Sequence, residues 1–247
     1  MISGSLPPIR CGVGDYTAQL SQQMAKAGVD FELLSTAGVS QDTAGPLMTV
    51  PNWKITSLPK MLAAISRSRA DIIHIEYPAV GYRRQLGINL LPYAVRLIKP
   101  KLKLVITLHE YSQSRWIGRL RNRLTIIPVH IILVSNQVDS QALNKLGRKI
   151  SLVPISANFE TTPRKPDRFK QILTESHLNP AIKTLVFFGY AFPVKRLEIL
   201  LDAMNEPPLR DSQLLIFPEI NGISTYQRML KSKISKLRDR VGVHSFL

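Results

Sequence analysis

Short apolar runs rich in β-branched residues alternate with amphipathic stretches along most of this chain, and that alternation predicts its elements. Strand-like runs occupy residues 29–34, 71–76, 102–108, 130–134, 151–154, 184–188 and 213–217. Most are continuously apolar, as parallel strands covered on both faces are. Between them, residues 15–27 place Tyr16, Leu20 and Met24 on one helical face, a stripe expected to face the core. Residues 88–98 and 138–146 repeat that pattern. Strand and helix in regular succession predict an open, doubly wound α/β sheet.

The alternation breaks at FETTPRKPDR, where two prolines, two threonines and mixed charge interrupt any apolar period. The break reads as a linker over residues 159–168. It separates a first Rossmann-like domain, residues 1–158, from a second unit, residues 169–247, which starts afresh at TLVFFGYAFPVKRLEILLDAM. The second unit offers two or three strands, the last in VGVHSFL, and a sheet of that size is expected to be marginal alone.

Composition adds bounds. The chain has 247 residues, 45% of them hydrophobic and 20% charged, ordinary values for a soluble globular protein. No apolar run reaches the roughly 18 residues needed to span a bilayer, and the start, with Pro7 and Pro8 and no basic leader, does not read as a signal peptide. Cytoplasm is the default expectation. Cys11 is the single cysteine, which excludes an internal disulfide and a cysteine metal cluster. The formal net charge of +16 is the outlier. It favours nucleic acid, anionic lipid or phosphorylated substrates as partners, with a merely solvated basic surface as the plain alternative.

Candidate chemistry begins at CGVGDYT, which reads as a phosphate-type loop opening a helix, where unpaired N–H groups and the helix dipole favour an anion. Gly12 and Gly14 supply two glycines of a dinucleotide fingerprint, Thr17 stands where the third belongs, and Glu32 lies near the acidic ribose position. A nicotinamide enzyme and a ligand-free tight turn are the competing readings. Ligands in open α/β sheets bind beyond the carboxyl ends of strands. Two runs end there with polar groups, DIIHIEYP with Glu76 and Tyr77, and KLVITLHEYS with His109 and Glu110. His109 is expected at the mouth of a cleft, where an imidazole can position a reacting group. His74, in mid-strand, reads as a packed core residue.

Five blocks occur in the order found in GT-B glycosyltransferases of family 4, and the chain resembles that family over nearly its whole length: SGSLPPIRCGVGDYTAQL, ADIIHIEYPAVGY, KLVITLHEY, ILVSN with ISLVPISANF, and LVFFGYAFPVKRLEILLDAM. The resemblance is stronger over the first 158 residues than afterwards. It implies a GT-B fold, with an acceptor-side Rossmann-like domain followed by a partial donor-binding one. It also implies retaining transfer of a hexose from a nucleotide sugar to a saccharide or lipid-linked acceptor, by front-face attack. By the same resemblance Gly12 and Gly14 approach the donor diphosphate, and His109 lies beside the reacting sugar. Lys195, supported by Arg196, neutralises donor phosphate, while Glu76, Tyr77, Glu110 and Asn158 line the cleft. No metal and no cofactor beyond the nucleotide-sugar substrate is implied.

The departures from the family pattern are specific. Tyr190 and Phe192 stand where an arginine precedes the lysine, Arg196 replaces the glycine after it, and Ser156 and Pro218 replace glycines. Glu198 and Glu206 have E-x7-E spacing without its Phe-Gly context and read as a solvated helix face. The family's own E-x7-E region would follow Leu247, and a fuller first strand would precede the loop. The chain is therefore expected to be truncated at both places and impaired in turnover, with a non-catalytic remnant or split half-protein as the alternative.

Two basic amphipathic stretches remain. SRWIGRLRNRL sets Trp116, Ile117, Leu120 and Leu124 on one side, with Arg115, Arg119, Arg121 and Arg123 around them. This helix, residues 115–124, either packs on the sheet or lies peripherally in a membrane interface. In TYQRMLKSKISKLRDRV the apolar residues Tyr226, Met229, Leu230, Ile234 and Leu237 are expected to pack inward. Charge alone would suit a basic nucleic-acid-binding module, but no recognition motif accompanies it, so no nucleic-acid partner is expected.

Overall fold

The computed structural model describes residues 1–40, 43–156, 163, 165–217 and 220–244. Two compact units divide the chain, Met1–Glu160 and Thr161–Leu247.

In the first unit a seven-stranded sheet is built from β1 (Ile2–Ser3), β2 (Leu33–Thr36), β3 (Leu47–Val50), β4 (Ile72–Tyr77), β5 (Lys103–Leu108), β6 (Ile131–Val134) and β7 (Ile150–Leu152). The spatial order is β3-β2-β1-β4-β5-β6-β7, and every pairing is parallel. Winding runs one way from β1 to β3 and the other way from β4 to β7, so the order reverses between β1 and β4. A crevice forms at such a switch point because the chain leaves the two adjacent strands in opposite directions. Short as it is, β1 lies in the middle of the sheet, with Ile2 registered against both Leu34 and Ile75.

The helices are α1 (Gly12–Lys26), α2 (Leu58–Arg67), α3 (Gly87–Ile98), α4 (Trp116–Ile126) and α5 (Gln137–Asn144). Ile73, Ile75, Leu104, Ile106, Ile132 and Val134 are buried along β4 to β6, in a core shared with Met61 and Ile65 of α2 and Ile88, Leu91 and Val95 of α3. Neither β3 nor α2 was anticipated. The strand is only four residues long, too short to show a period, while the Met61–Ile65 spacing of the helix was a readable i, i+4 signal. The strand expected at residues 29–34 begins at Leu33 instead, because Gly28, at φ 72°, ends α1 and four residues of loop follow.

Helix α1 turns a different face inward than its apolar stripe suggested. Gly14, Thr17 and Ser21 are buried, while Tyr16, Leu20 and Met24 are only half-buried. Small residues win this face because the helix lies close on the segment after β1. A Cβ on Gly14 would come within 2.9 Å of the Ser5 carbonyl oxygen, and Thr17 Oγ1 donates to Val13 O and lies 3.3 Å from Ser3 Oγ.

The second unit comprises α6 (Pro166–Glu175), β8 (Thr184–Phe187), α7 (Leu197–Ala203), β9 (Gln213–Ile216), α8 (Thr225–Leu237) and β10 (Val241–Val243). Its three parallel strands run β10-β9-β8. Helix α6 starts inside the proline-rich stretch read as linker, with Pro166 in its first turn, where a missing N–H costs nothing. Leu214 and Ile216 of β9 pack against Leu197 and Leu201 of α7 and Leu230 and Leu237 of α8. Leu215 packs on the opposite face with Leu173 of α6. The central strand is thus covered on both sides.

Candidate active site

The carboxyl ends of β1, β4 and β5 meet at the switch point, and the loops there are held by backbone contact. Gly4, just after β1, lies against the turn 80–82 that follows β4, and Gly81 N donates to Ser5 Oγ at 2.7 Å. A Cβ on Gly4 would lie 2.7 Å from the Tyr82 ring. Tyr82 fills the space beneath, its hydroxyl donating to Glu76 O at 3.0 Å and its ring edge-on to the fully buried Trp53.

Three titratable side chains converge beside these loops. Glu76 has no exposed surface, and its Oε2 lies 2.8 Å from His109 Nε2. Its Oε1 lies 3.3 Å from His74 Nε2 but makes no hydrogen bond among the described residues. The spacing explains the meeting: His74 and Glu76 are two apart on β4 and share a face, and β5 registers Thr107 opposite Glu76. His74 Nε2 pairs with Thr107 Oγ1 at 2.7 Å. His109 follows the end of β5, its backbone N–H donating to Tyr77 O, and Tyr16 of α1 meets its ring edge-on at 5.3 Å. Sequence reading set His74 aside as a core residue; the i, i+2 spacing to Glu76 was the available signal.

Burial pushes the His74 imidazole below its ordinary value, with the Glu76 carboxylate opposing that shift. The unfolded chain takes up this proton near pH 6.5 and the folded chain only at lower pH, so over that interval the unfolded state binds more protons and stability is lost as the pH falls. Both tryptophans, Trp53 and Trp116, belong to the first unit, so their fluorescence follows that unit alone. Its urea midpoint is expected to drop as pH falls below about 6.5, and to drop less in His74→Gln; equal slopes for the two proteins would refute the assignment.

The loop after β5 has its own anchor, which sequence reading missed. Asn136 caps α5 by accepting from Asp139 N at 2.9 Å, the arrangement expected of asparagine at this position. The fully buried Asp139 then accepts from Ser112 N at 2.7 Å and Tyr111 N at 3.2 Å. From the other side Arg119 of α4 donates to Ser112 O and Ser114 O, and Arg123 to the Tyr111 hydroxyl. Arg121 reaches Asn89 Oδ1 and Gln85 O. With these arginines, Asn122 and Thr125 engaged inward, the apolar side of α4 is left outside. Trp116 is 75% exposed, and Ile117, Leu120 and Leu124 are exposed too. Of the two readings the sequence left open, packing of this side on the sheet is thereby overturned.

Several sequence candidates lie elsewhere than expected. Gly12 and Gly14 do not form a loop: they are in the first turn of α1, with Cys11 at the N-cap position, while the loop itself spans residues 4–10. Tyr77 points into the core, where its hydroxyl accepts from Asn89 Nδ2, rather than lining a cleft. Glu76 is likewise beneath the surface. Glu110 is exposed, and Asn158 lies outside the described residues.

Lys195 and Arg196 belong to the second unit, exposed in the connection between β8 and α7. Arg196 adopts φ 55°, a left-handed conformation that glycine meets without strain, at the position where the family pattern has glycine. Glu198 is structural: it accepts from the Tyr226 hydroxyl of α8, which lowers its pKa, and lies 3.6 Å from Arg196 Nη1. Glu206 precedes a 3-10 turn, Pro207–Leu209, and takes no part in that contact. A small cavity of about 40 Å³, lined by Ile2, Glu32, Leu34 and Ile73 among others, opens at the amino ends of the strands, opposite the histidines. Among the described residues no cluster suited to a metal ion occurs, and no helix is long and apolar enough to cross a membrane.

Two Rossmann-like units in succession, the first with its polar cluster at the switch point, define the chain as a GT-B-type glycosyltransferase fold. A glycosyltransferase from Rickettsia africae ESF-5 superposes with TM-score 0.70 at 15% identity, over 99% of this chain and 67% of that one. The catalytic domain of starch synthase IV from Arabidopsis thaliana, bound to ADP and acarbose, gives 0.71 at 12% identity, over 100% and 73%. An alpha-glucosyltransferase in complex with UDP-glucose and DNA containing an abasic site gives 0.54 at 17%, over 99% and 65%. At such identities the likeness is one of fold, and the chain spans about two thirds of the length of the first and third of these proteins. No curated protein matches it. The chain belongs to Glycosyltransferase Family 4, whose model matches residues 11–158.

Proposed function

We propose that this protein transfers a hexose from a nucleotide sugar to a saccharide or lipid-linked acceptor with retention of configuration. The observation that carries the reading is the His109–Glu76 pair at the sheet's switch point, 2.8 Å apart. In the proposed reaction the bond from the anomeric carbon to the donor phosphate breaks while the acceptor oxygen bonds to that carbon on the same face. The acceptor proton passes to the departing phosphate oxygen. His109 acts beside the reacting sugar, and the backbone N–H groups at Gly12 and Gly14 favour the donor diphosphate, since the first turn of a helix leaves such donors unpaired. Lys195 and Arg196 supply positive charge for the leaving group. Glu110 and Asn158 complete the acceptor side. The nucleotides and saccharide in the related structures support this substrate class.

A peripheral membrane contact through residues 115–124 is the second element of the proposal, and it rests on the outward apolar side of α4. The segment from Tyr77 to Val138 carries ten Lys or Arg against one acidic residue, Glu110, which favours an anionic surface. Incubating the purified chain with UDP-, ADP- and GDP-hexoses is the direct test. Release of nucleoside diphosphate, with an α-configured product from an α-configured donor, is expected. Neither release nor binding of any of these donors would overturn the assignment.

A further inference from the structure

The reading of Glu76 as a cleft residue fails on burial, yet its position calls for a role. A carboxylate with no exposed surface is costly unless its oxygens are paired. Among the described residues only one oxygen of Glu76 is hydrogen-bonded, and its partner is His109 Nε2. A carboxylate accepts and does not donate, so the pairing requires a proton on Nε2 of His109. Nδ1 is then the nitrogen left over, and among the described residues it makes no hydrogen bond. The Tyr16 ring packs against the imidazole in a T-shaped contact, with centroids 5.3 Å apart.

We propose that Glu76 is the positioning residue of His109: it fixes the proton on Nε2 and leaves Nδ1 as the acceptor for a hydroxyl of the sugar or of the acceptor substrate. This rests on the glycosyl-transfer reading for its consequence but not for its geometry. The arrangement is a buried carboxylate orienting a histidine whose other nitrogen works, a device that controls tautomer and direction together. His74 does not compete for the role, because its Nε2 is engaged by Thr107 Oγ1 at 2.7 Å.

Nitrogen-15 and proton spectra of the imidazoles test the pairing without any turnover. The wild-type chain is expected to show His109 protonated at Nε2, with that proton far downfield and slow to exchange. In Glu76→Gln the resonance moves upfield and exchanges faster, whereas in Thr107→Val it stays in place. A wild-type His109 protonated at Nδ1, or an unchanged Nε2 proton in Glu76→Gln, would overturn the proposal; the first of these needs no variant to fold. In transfer assays Glu76→Gln is expected to lower kcat about 10–100-fold with donor KM unchanged. Adding His109→Gln is expected to cost far less in that background than in the wild type, as coupled residues do. Additive losses in the double variant would count against the pairing. A chain that transfers no sugar but shows the expected spectra refutes the proposed function and leaves the pairing standing.

Discussion

Replacing Gly81 with alanine is expected to abolish cooperative unfolding of the first unit or to cost it more than about 4 kcal/mol. The added Cβ would fall on the carbonyl oxygen of Gly4, far inside contact distance, and 3.0 Å from Ser5 Oγ. Both obstacles belong to the segment after β1, which the sheet holds on either side through Ile2 and Ser3. The Gly4 carbonyl is backbone and cannot retreat as the tip of a side chain such as Ser5 Oγ would. Moving apart would also break the bond from Gly81 N to Ser5 Oγ and the packing of Gly4 on Tyr82. Gly12→Ala is the matched control, since nothing lies within 4 Å of its Cβ position; there alanine is expected to be neutral or to gain up to about 1 kcal/mol in the helix. Tryptophan fluorescence through a urea titration compares them. A Gly81→Ala midpoint equal to that of Gly12→Ala would show that the close approach is not rigid.

The second large effect is expected at Asp139. Its carboxylate is fully buried and receives two backbone N–H groups, from Tyr111 and Ser112, together with the Asn136 side-chain amide. Alanine would leave these donors without an acceptor in a dry site, and an orphaned buried donor costs its full desolvation. About 3–5 kcal/mol of first-unit stability should be lost. Asparagine should lose much of the same despite its matching shape, because its NH2 places a donor among donors. Amide exchange gives a local reading: Tyr111 and Ser112 should be protected in the wild type and exchange rapidly in Asp139→Ala. Protected amides in that variant would mean the loop after β5 has another anchor. Because His109 begins this loop, the same substitution is expected to reduce sugar transfer more than an equally destabilising change in α2.

Much of the fold was legible because buried parallel strands must be apolar throughout. β4, β5, β6, β8 and β9 all fall within a residue of their apolar runs. Where tertiary contact overrides local pattern, legibility ended. The stripe of Tyr16, Leu20 and Met24 pointed to one face of α1, but close approach to β1 favoured the small residues Gly14, Thr17 and Ser21. The apolar side of α4 looked packable, yet Arg119, Arg121 and Arg123 found backbone and side-chain acceptors inward and left Trp116 outside. Amphipathic spacing identifies two faces of a helix without saying which one the neighbours can satisfy.

The candidate site divides in the same way. From sequence alone follow the alternation that makes a doubly wound sheet, the family to which the chain belongs, and the place of His109 past a strand end. These depend on periodicity and on ordered blocks along one chain, which are local properties. That Gly12 and Gly14 begin a helix, that Tyr77 turns inward, and that Glu76 joins His109 and His74 were decided only by tertiary structure. The last two depend on the register of β4 with β5 and on the reversal of strand order beside β1. Such pairings bring together residues 33 positions apart, and no local pattern encodes which of two strands will lie alongside.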